Sequence, residues 1–168
     1  TMACWCYRAS GSVFAVMMGV GTAGSGNQRH HLTNLSTGEV QAVSRTTAGA
    51  NATTTVQASD QVWFHAAGVW AGSSSRTAYI DGGNSVTNTT TRSTSGQNNS
   101  QAGHWNLGSN FDGWQGFLAE FAWWNVVLNA VRRAFSFRPA NLSRICTGDA
   151  VGYRTLARYV VALRLSTA

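Results

Sequence analysis

The sequence QVWFHAAGVWAGSSSRTAYIDGG, residues 61–83, decides the fold. Its first half alternates between two faces that are both largely apolar: Trp63, His65, Ala67 and Val69 on one, and Val62, Phe64, Ala66, Gly68 and Trp70 on the other. A strand that is apolar on both faces is typical of the interior of a sheet. Residues 72–75 interrupt the alternation, residues 76–80 resume it, and Asp81-Gly82-Gly83 is typical of a tight turn. The stretch therefore predicts two antiparallel strands, the first of them central.

Shorter segments of the same kind lie on both sides of this pair. We expect strands at residues 2–7, 11–20, 29–33, 39–46, 104–109 and 114–126, and at residues 48–59 a loop that runs into a strand. There is one proline beside 18 glycines, so Gly, Asn, Asp and Ser must make the turns. The pattern predicts an all-β chain with two antiparallel sheets packed as a sandwich. Asn129 is a typical N-cap for one short helix near residues 130–136.

Residues 84–103, NSVTNTTTRSTSGQNNSQAG, are almost wholly polar. Threonine is β-branched, so the threonine-rich first half predicts an edge strand. From Ser95 onward the composition predicts a mobile surface loop.

The bulk composition limits the possible classes of protein. A chain of 168 residues with 43% hydrophobic residues is long enough for one domain with a core, and it has no apolar run that would cross a membrane. The three cysteines are Cys4, Cys6 and Cys146. Cys4 and Cys6 stand two apart on one strand face, a poor geometry for a mutual disulfide. A bridge from either one to Cys146 remains open, and buried free thiols are the interpretation we favour.

The charge is concentrated at one end of the sequence. All 12 basic residues are arginines; five of them balance five acids before residue 130, whereas residues 130–168 hold seven arginines and one acid. This segment predicts docking on an acidic partner surface, with the candidate docking residues Arg132, Arg133, Arg138 and Arg144. The alternative is that the arginines rim an ordinary surface. No nucleic-acid-binding motif accompanies them, so nucleic acid is not the expected partner.

The end of the chain has an alternating pattern of its own. In residues 158–165, one face carries Tyr159, Val161, Leu163 and Leu165, while Arg158 and Arg164 share the other face with Val160 and Ala162. We interpret this stretch as a closing strand, with a helix as the alternative.

A series of short motifs, taken in order, resembles the laminin-G-like group of concanavalin A-like lectin/glucanase domains. The motifs are Trp63-Phe64-His65, AYIDGG at residues 78–83, Leu107-Gly108, Phe111-Asp112-Gly113-Trp114, LAEFAW at residues 118–123, and Leu128-Asn129 before the short helix. The resemblance covers residues 3–137 and implies a jelly-roll sandwich with ligand loops at one rim and a non-catalytic binding role. Residues 137–163 resemble an extension found in bacteriophage structural proteins.

The resemblance also implies a division of the chain. We expect a laminin-G-like sandwich at residues 1–137, with the first strand of the family missing, and an arginine-rich extension at residues 138–168 that closes on or docks from the same domain.

The carboxylates argue against an enzyme. Glycoside hydrolysis needs two carboxyl groups on either side of one bond, but Glu39 and Glu120 are the only glutamates, and Glu120 has no acid within five residues. We therefore predict that the chain is not an enzyme. A hydrolase of the glucanase branch is the alternative. For Glu120 we expect a structural role as a buried acceptor for backbone or histidine groups.

Binding residues are expected near the tryptophans and the polar turns. Trp114, beside the turn at residues 110–113, and Trp70 are the candidates for stacking on a sugar ring, with Asn110 and Asp112 as candidate hydrogen-bonding partners. Asn110 and Asp112, with Asp60 or Asp81, could supply part of a calcium site, but the chain has few acids and we expect neither a metal nor another cofactor. Asp81 is expected to shape its turn.

Two functional hypotheses follow. The first, which we favour, is a non-enzymatic structural, decoration or fibre component of a virion, with capsid or tail subunits as partners in a homo-oligomeric assembly. The second is a carbohydrate-binding module for a cell-surface glycan. Both place the protein on a virion surface or outside cells, and neither involves a membrane.

Overall fold

The computed structural model describes residues 1–23, 27–103, 106–107, 110–111 and 113–128. These residues form two five-stranded antiparallel sheets and one short two-stranded ladder. The first sheet contains, in spatial order, β12 (Gly116–Trp123), β1 (Met2–Arg8), β6 (Trp63–Gly72), β7 (Ser75–Ile80) and β8 (Gly83–Asn88). The second contains β5 (Gly49–Gln57), β4 (Glu39–Arg45), β3 (Arg29–Asn34), β2 (Ala15–Gly21) and β9 (Asn99–Ala102). The ladder pairs β10 (Asn106–Leu107) with β11 (Asn110–Phe111).

The predicted all-β sandwich is confirmed, and the architecture is consistent with a jelly roll. Strand β6 lies between β1 and β7, as its two apolar faces predict, and the threonine-rich strand β8 lies at the edge of the first sheet. The described residues contain no helix. The helix expected near residues 130–136 lies outside the described part of the chain, as does the extension expected at residues 138–168.

The core lies between the two sheets and is built from alternate residues of their strands. Met2, Cys4 and Cys6 of β1 face the interior, and the register pairs them with Gly68, Ala66 and Phe64 of β6. The second sheet contributes Met17, Met18, Leu32, Val40, Ala42 and Ala52. Burying a side chain the size of Phe64 or Leu32 contributes about 1.5–3 kcal/mol. Cys4 and Cys6 are buried free thiols, in agreement with the interpretation that we favour from the sequence.

Several polar segments form strands that the sequence does not predict. Residues 49–57 are wholly extended as β5, and residues 99–102 form β9 and pair with β2. The expected turn at Asn110 instead begins with a paired strand, β11. Strand β2 begins only at Ala15 rather than at residue 11. In these segments main-chain hydrogen bonds, which any residue can make, decide the structure, and hydrophobic patterning does not report on them.

Residues 89–98, which we call the crossing loop, connect β8 of the first sheet with β9 of the second. The Arg92 N–H donates to Ser73 O at 2.8 Å, and the Asn98 N–H donates to Gly21 O at 2.9 Å. The Ser95 N–H donates to Gln28 Oε1 at 3.0 Å. The loop is therefore hydrogen-bonded to residues of both halves of the sandwich. Residues 99–102, which the composition placed in a mobile surface loop from Ser95 onward, instead form β9.

No helix in the described part of the chain is long and apolar enough to span a membrane.

Candidate functional site

Four arginines lie at one end of the sandwich, which we call the arginine end: Arg29 and Arg45 at outer-facing positions of the second sheet, Arg76 at an interior-facing position of the first sheet, and Arg92 in the crossing loop. Arg29 begins β3 and is paired directly with Arg45, the last residue of β4. Arg76 lies opposite Trp70 beside the β6–β7 turn, and its Nε donates to Ser44 Oγ at 3.0 Å, next to Arg45 in sequence. Arg92 donates from Nε to Ala48 O at 3.2 Å. The strand register thus joins residues far apart in the sequence.

Three of the described carboxylates lie toward the opposite end. Glu39 begins β4, so the strand rise places it about 20 Å from Arg45 along the same strand. Asp81 follows the far end of β7 from Arg76. Asp60 forms an ion pair with Arg8 at 2.9 Å, and Arg8 also donates to Ser36 O beside the start of β4. The described part of the chain is therefore electrically polarised, although its formal charges nearly balance.

Arg76 is the most deeply buried member of the arginine end, with 0% of its surface exposed, and Arg29 is also buried, with 5% exposed. All of its described acceptors are uncharged: Ser44 Oγ, Asn88 Oδ1 at 2.8 Å, Ser73 O at 2.9 Å and Thr90 O at 2.7 Å. Burial lowers the pKa of Arg76, and Arg92 lowers it further. Arginine remains charged in proteins, so Arg76 holds a positive charge under the crossing loop with no described carboxylate bound to it.

His30 lies beside Arg76 and joins the second sheet to the crossing loop. One ring nitrogen, Nδ1, lies 2.9 Å from Ser44 Oγ, and Nε2 lies 2.7 Å from Thr94 Oγ1 in the crossing loop. Burial, followed by the charge of Arg76, lowers the pKa of His30 to about 4, so the ring is neutral at pH 7. Ser44 is completely buried, which prevents it from acting as a nucleophile with His30. The group is a structural hydrogen-bond network and not a catalytic pair.

His31 faces away from His30, on the outer side of the second sheet. It is buried, and its pKa lies well below the usual value because of burial and the charges of Arg29 and Arg45, with a further effect from His30. The two histidines therefore lie on opposite faces of β3, and the pKa of each is lowered mainly by burial.

Trp70 belongs to the arginine end, but its ring is folded inward. It lies over Gly68, where an added Cβ would come within 2.6 Å of the indole ring, and its centroid is 5.4 Å from the His30 ring. The indole is half-buried against the core. Its Nε1 has no hydrogen-bond partner in the described part of the chain.

Trp114 does not belong to the arginine end. Its ring centroid lies 6.4 Å from that of Phe64, and its Nε1 donates to Phe117 O at 3.2 Å. Phe64 and Trp70 are six residues apart on β6, which the strand rise converts to about 20 Å. The structure therefore does not bring the two predicted stacking residues together.

The remaining predicted site residues are less completely described. The backbone of Asn110 pairs with Leu107 in the two-stranded ladder, and Asp112 lies outside the described residues. The predicted docking residues Arg132, Arg133, Arg138 and Arg144 also lie outside them.

Two of the possible calcium ligands have other partners. Asp60 is held by Arg8 and accepts a hydrogen bond from the Gly11 N–H at 3.1 Å. Asp81 accepts from the His65 N–H at 2.8 Å, which fits its expected role in the turn. Within the described ranges, no three or more His, Cys, Asp or Glu residues are grouped to hold a metal ion.

Glu120 does not have the role expected for it. It lies in a bulge of β12 with a φ of 57°, and its Oε2 is buried without a hydrogen-bond partner among the described residues, so the predicted acceptor role is wrong for this atom. Burial raises the pKa of Glu120 to about 7. A raised pKa suits a general acid, but no described neighbouring carboxylate contributes to this shift.

The arginine end was missed by sequence reasoning. Arg29, Arg45 and Arg76 each stand at or next to a strand terminus, and none has an acid within four residues. Basic strand ends without nearby acids were the signal in the sequence that could have indicated this cluster of charge. Only the register of β3, β4 and β7 shows that these termini lie at the same end.

Comparison with known families gives one match. A family model described as the concanavalin A-like lectin/glucanases superfamily matches residues 1–131. No curated protein is similar to the chain at a significant level.

Three similar solved structures illustrate the range of proteins that have this fold. The sialidase carbohydrate-binding module CBM40 of Ruminococcus gnavus, bound to α2,3 sialyllactose, is 15% identical, with a TM-score of 0.56 and 79% of each chain covered. The heptameric pentraxin of Limulus polyphemus is 15% identical, with a TM-score of 0.54, covering 79% of this chain and 67% of that one. A leech intramolecular trans-sialidase is 13% identical, with a TM-score of 0.60, covering 82% of this chain and 23% of that one. At these identities the likeness shows the fold alone.

Proposed function

The chain belongs to the concanavalin A-like lectin/glucanase superfamily, and from this premise we propose that it is a non-catalytic glycan-binding domain whose ligand carries negative charge. The observation that carries the proposal is the arginine end, where four arginines lie at one end of the sandwich while Glu39, Asp60 and Asp81 lie toward the other end.

The accessible part of the arginine end suits an acidic sugar. Arg45 is exposed and Arg92 is half-buried, so their guanidinium groups are the candidates for direct contact with a carboxylate or sulfate. Arg76 is buried and would act through its charge rather than by contact. A hydrogen bond to a charged group contributes about 1.5–3 kcal/mol, and the planar guanidinium binds carboxylates through two parallel N–H groups.

One of the fold neighbours has a sugar ligand of the proposed class. The CBM40 structure is of a module bound to α2,3 sialyllactose, and sialic acid has a carboxylate. A ligand of this class would complement the arginine end of the present chain.

The carboxylates favour binding without catalysis. Glu39 is hydrogen-bonded by Thr37 and Gln57, and Asp60 and Asp81 are held by Arg8 and by the His65 N–H. Glu120 is the described carboxyl with a raised pKa, and hydrolysis of a glycosidic bond would require a second carboxyl beside it.

A glycan array with the full chain tests the proposal. Sialylated, sulfated and uronate-containing glycans are expected to bind, and binding should weaken as salt increases because the contacts are charged. Arg45→Glu should reduce the affinity for these glycans about tenfold, which corresponds to about 1.4 kcal/mol. Glu39→Gln, at the other end of β4, is the matched control and should leave affinity unchanged.

The array distinguishes failure of the function from failure of the site. If no glycan binds at any salt concentration, the proposed function is wrong. If neutral glycans bind and Arg45→Glu has no effect, the domain binds sugar elsewhere and the arginine end is not the site.

A structural role in a virion is the second candidate. The supporting observations are the concentration of seven arginines in residues 130–168 and the resemblance of residues 137–163 to an extension in bacteriophage structural proteins. We propose that such a domain would be anchored to capsid or tail subunits, as part of a homo-oligomeric assembly, through Arg132, Arg133, Arg138 and Arg144. It would lie on the virion surface or outside the cell.

The virion role has its own test. Charge reversal at Arg132, Arg133 and Arg138 should reduce incorporation into particles, most strongly at low salt. Incorporation that is unchanged at both low and high salt would argue against this anchoring.

A further inference from the structure

The outer face of the first sheet carries no charged residue at its paired positions across four strands. The residues at paired positions on this face are Ala3, Trp5 and Tyr7 of β1, Trp63, His65, Ala67 and Val69 of β6, Thr77 and Tyr79 of β7, and Phe117, Ala119 and Ala122 of β12. None of them is Asp, Glu, Lys or Arg. Arg8 and Arg76 lie at interior-facing positions of their strands, and Glu120 lies in the β12 bulge opposite Cys4, outside the paired positions.

Aromatic rings line one end of this face. The Tyr7 ring centroid is 5.7 Å from those of both Trp63 and Phe117, and the planes are tilted by 54° and 50°. The tilted rings do not form a flat platform, which a sugar ring would need for stacking. Such a ridged apolar surface suits contact with other side chains.

The smaller residues of the face are buried. Ala67 has 0% of its surface exposed, and Ala3, Val69 and Ala119 are also buried, although the second sheet packs on the opposite side of these strands. A sandwich sheet commonly presents a polar outer face to water. An outer face of four strands without a charged residue departs from this pattern, and Phe117 exposes a large apolar side chain at its rim, as is typical of contact surfaces.

The described chain ends beside this face. The Leu128 N–H donates to Thr1 Oγ1 at 3.2 Å, and the Trp124 N–H donates to Thr1 O at 2.9 Å. Leu128 is thus held next to the first residues of β1, close to Ala3. Residues 129–168 follow, and a chain of this length reaches any point on the face, since an extended residue spans about 3.3 Å.

We propose that the outer face of the first sheet is the docking surface for residues 158–165 of the same chain. The alternation of that segment fits the face, because Tyr159, Val161, Leu163 and Leu165 share one side. Those side chains would pack on the uncharged face. Arg158 and Arg164 would point away from the sheet into water, so docking would bury no charge.

Photocrosslinking of the full chain tests the proposal. Phe117, which is 58% exposed at the rim of the face, is replaced by the photoreactive residue p-benzoylphenylalanine. Irradiated protein is digested with trypsin and the crosslinked peptides are identified by mass spectrometry. Cleavage after Arg158 and Arg164 releases residues 159–164, YVVALR, and this peptide is the expected crosslinking partner within one molecule.

The control places the same photoreactive residue on the other sheet. Val56 of β5 is 41% exposed, and a probe there should not capture residues 159–164. Crosslinks from position 117 to a second copy of the chain, crosslinks to other segments only, or no crosslinks at all would each overturn the proposal.

A matched pair of substitutions checks the register. Val161→Asp puts a charge on the side that docks and should lower the yield of the crosslink from position 117 about tenfold, because burying an unpaired carboxylate is costly. Val160→Asp puts the same charge on the opposite side and should leave the yield within about twofold. Equal yields from the two variants would show that the segment does not dock in this register.

Discussion

The outer faces of the two sheets differ in kind. On the first sheet the paired positions carry alanines, aromatic rings and threonines without a formal charge. On the second sheet the corresponding positions include Arg29 opposite Arg45 and Thr33 opposite Gln41. Both faces arise because successive side chains along a strand point to opposite sides, so this alternation does not distinguish them. What differs is the class of side chain, and with it the class of partner that each face can accept: apolar protein for the first and charged or polar ligand for the second.

The largest expected difference between the two outer faces is the loss of stability when a charge is introduced on each. Ala67→Asp puts a carboxylate at a completely buried position of the first sheet and should lower the free energy of unfolding by about 3 kcal/mol, since the new charge is buried without a partner. Asn51→Asp, at an exposed position on the second sheet, should change it by less than about 0.5 kcal/mol. Urea denaturation followed by tryptophan fluorescence measures both values.

Ala67→Ser is the size control for this comparison. Ala67→Ser should lower the free energy of unfolding much less than Ala67→Asp, because serine adds one neutral hydroxyl group and no charge. If Ala67→Asp is tolerated as well as Asn51→Asp, the outer face of the first sheet is open to water, and the contrast between the faces is lost.

How much of this could be read from the sequence depends on which force forms each element. Hydrophobic patterning forms β6, so its central place follows from two apolar faces in residues 62–70. The turn at Asp81 and the edge position of β8 also follow from local chemistry. Strand β9 and the crossing loop are held by main-chain and polar hydrogen bonds, which leave no hydrophobic pattern, and they were not predicted.

The arginine end could not be predicted for a different reason. The charge count before residue 130 balances to zero, which suggests an unremarkable surface. The register then places Arg29, Arg45 and Arg76 at the same end of the sandwich and leaves Glu39 and Asp81 at the other end. A sum of charges contains no information about position, and pairing between distant strands creates the polarity. The separation of the two candidate stacking residues, Trp70 and Trp114, likewise depends on how distant strands pair and could not be predicted from the local sequence.

Each outer face also carries one buried histidine, and their titration should differ. The pKa of His31 on the second sheet is lowered by burial and then by Arg29 and Arg45. The pKa of His65 on the first sheet is lowered by burial, but Asp81 opposes this effect. A histidine with a depressed pKa in the folded state stabilises the fold least at low pH, so stability is complete above the unfolded pKa of about 6.5 and is lost as the pH falls below it.

We expect His31 to contribute more of this acid-side loss than His65. Proton NMR of the imidazole rings should show a lower titration midpoint for His31 than for His65. From pH 8 to pH 5.5, the stability of the wild type should fall, and His31→Gln should remove about 1 kcal/mol of that fall, with a smaller effect from His65→Gln. A higher midpoint for His31 would show that the charges of Arg29 and Arg45 do not lower the pKa of His31.

The smallest expected effect is a difference in the pH dependence of stability between one carboxyl group of each sheet. Burial raises the pKa of Glu120 in β12 to about 7, whereas hydrogen bonds from Thr37 and then Gln57 lower the pKa of Glu39 in β4. Because the unfolded pKa of glutamate is near 4.3, Glu120 costs no stability below that value, costs progressively more as the pH rises toward 7, and costs the full amount above it. Glu120→Gln should therefore raise the unfolding temperature at pH 8 and leave it unchanged at pH 4.

Glu39→Gln should instead lower the unfolding temperature at pH 8, because the hydrogen bonds to its charged form are weakened. Thermal unfolding at the two pH values measures both variants, and a loss of stability at pH 8 in Glu120→Gln would show that the charged Glu120 has a stabilising partner, so that its carboxylate is not isolated in the first sheet.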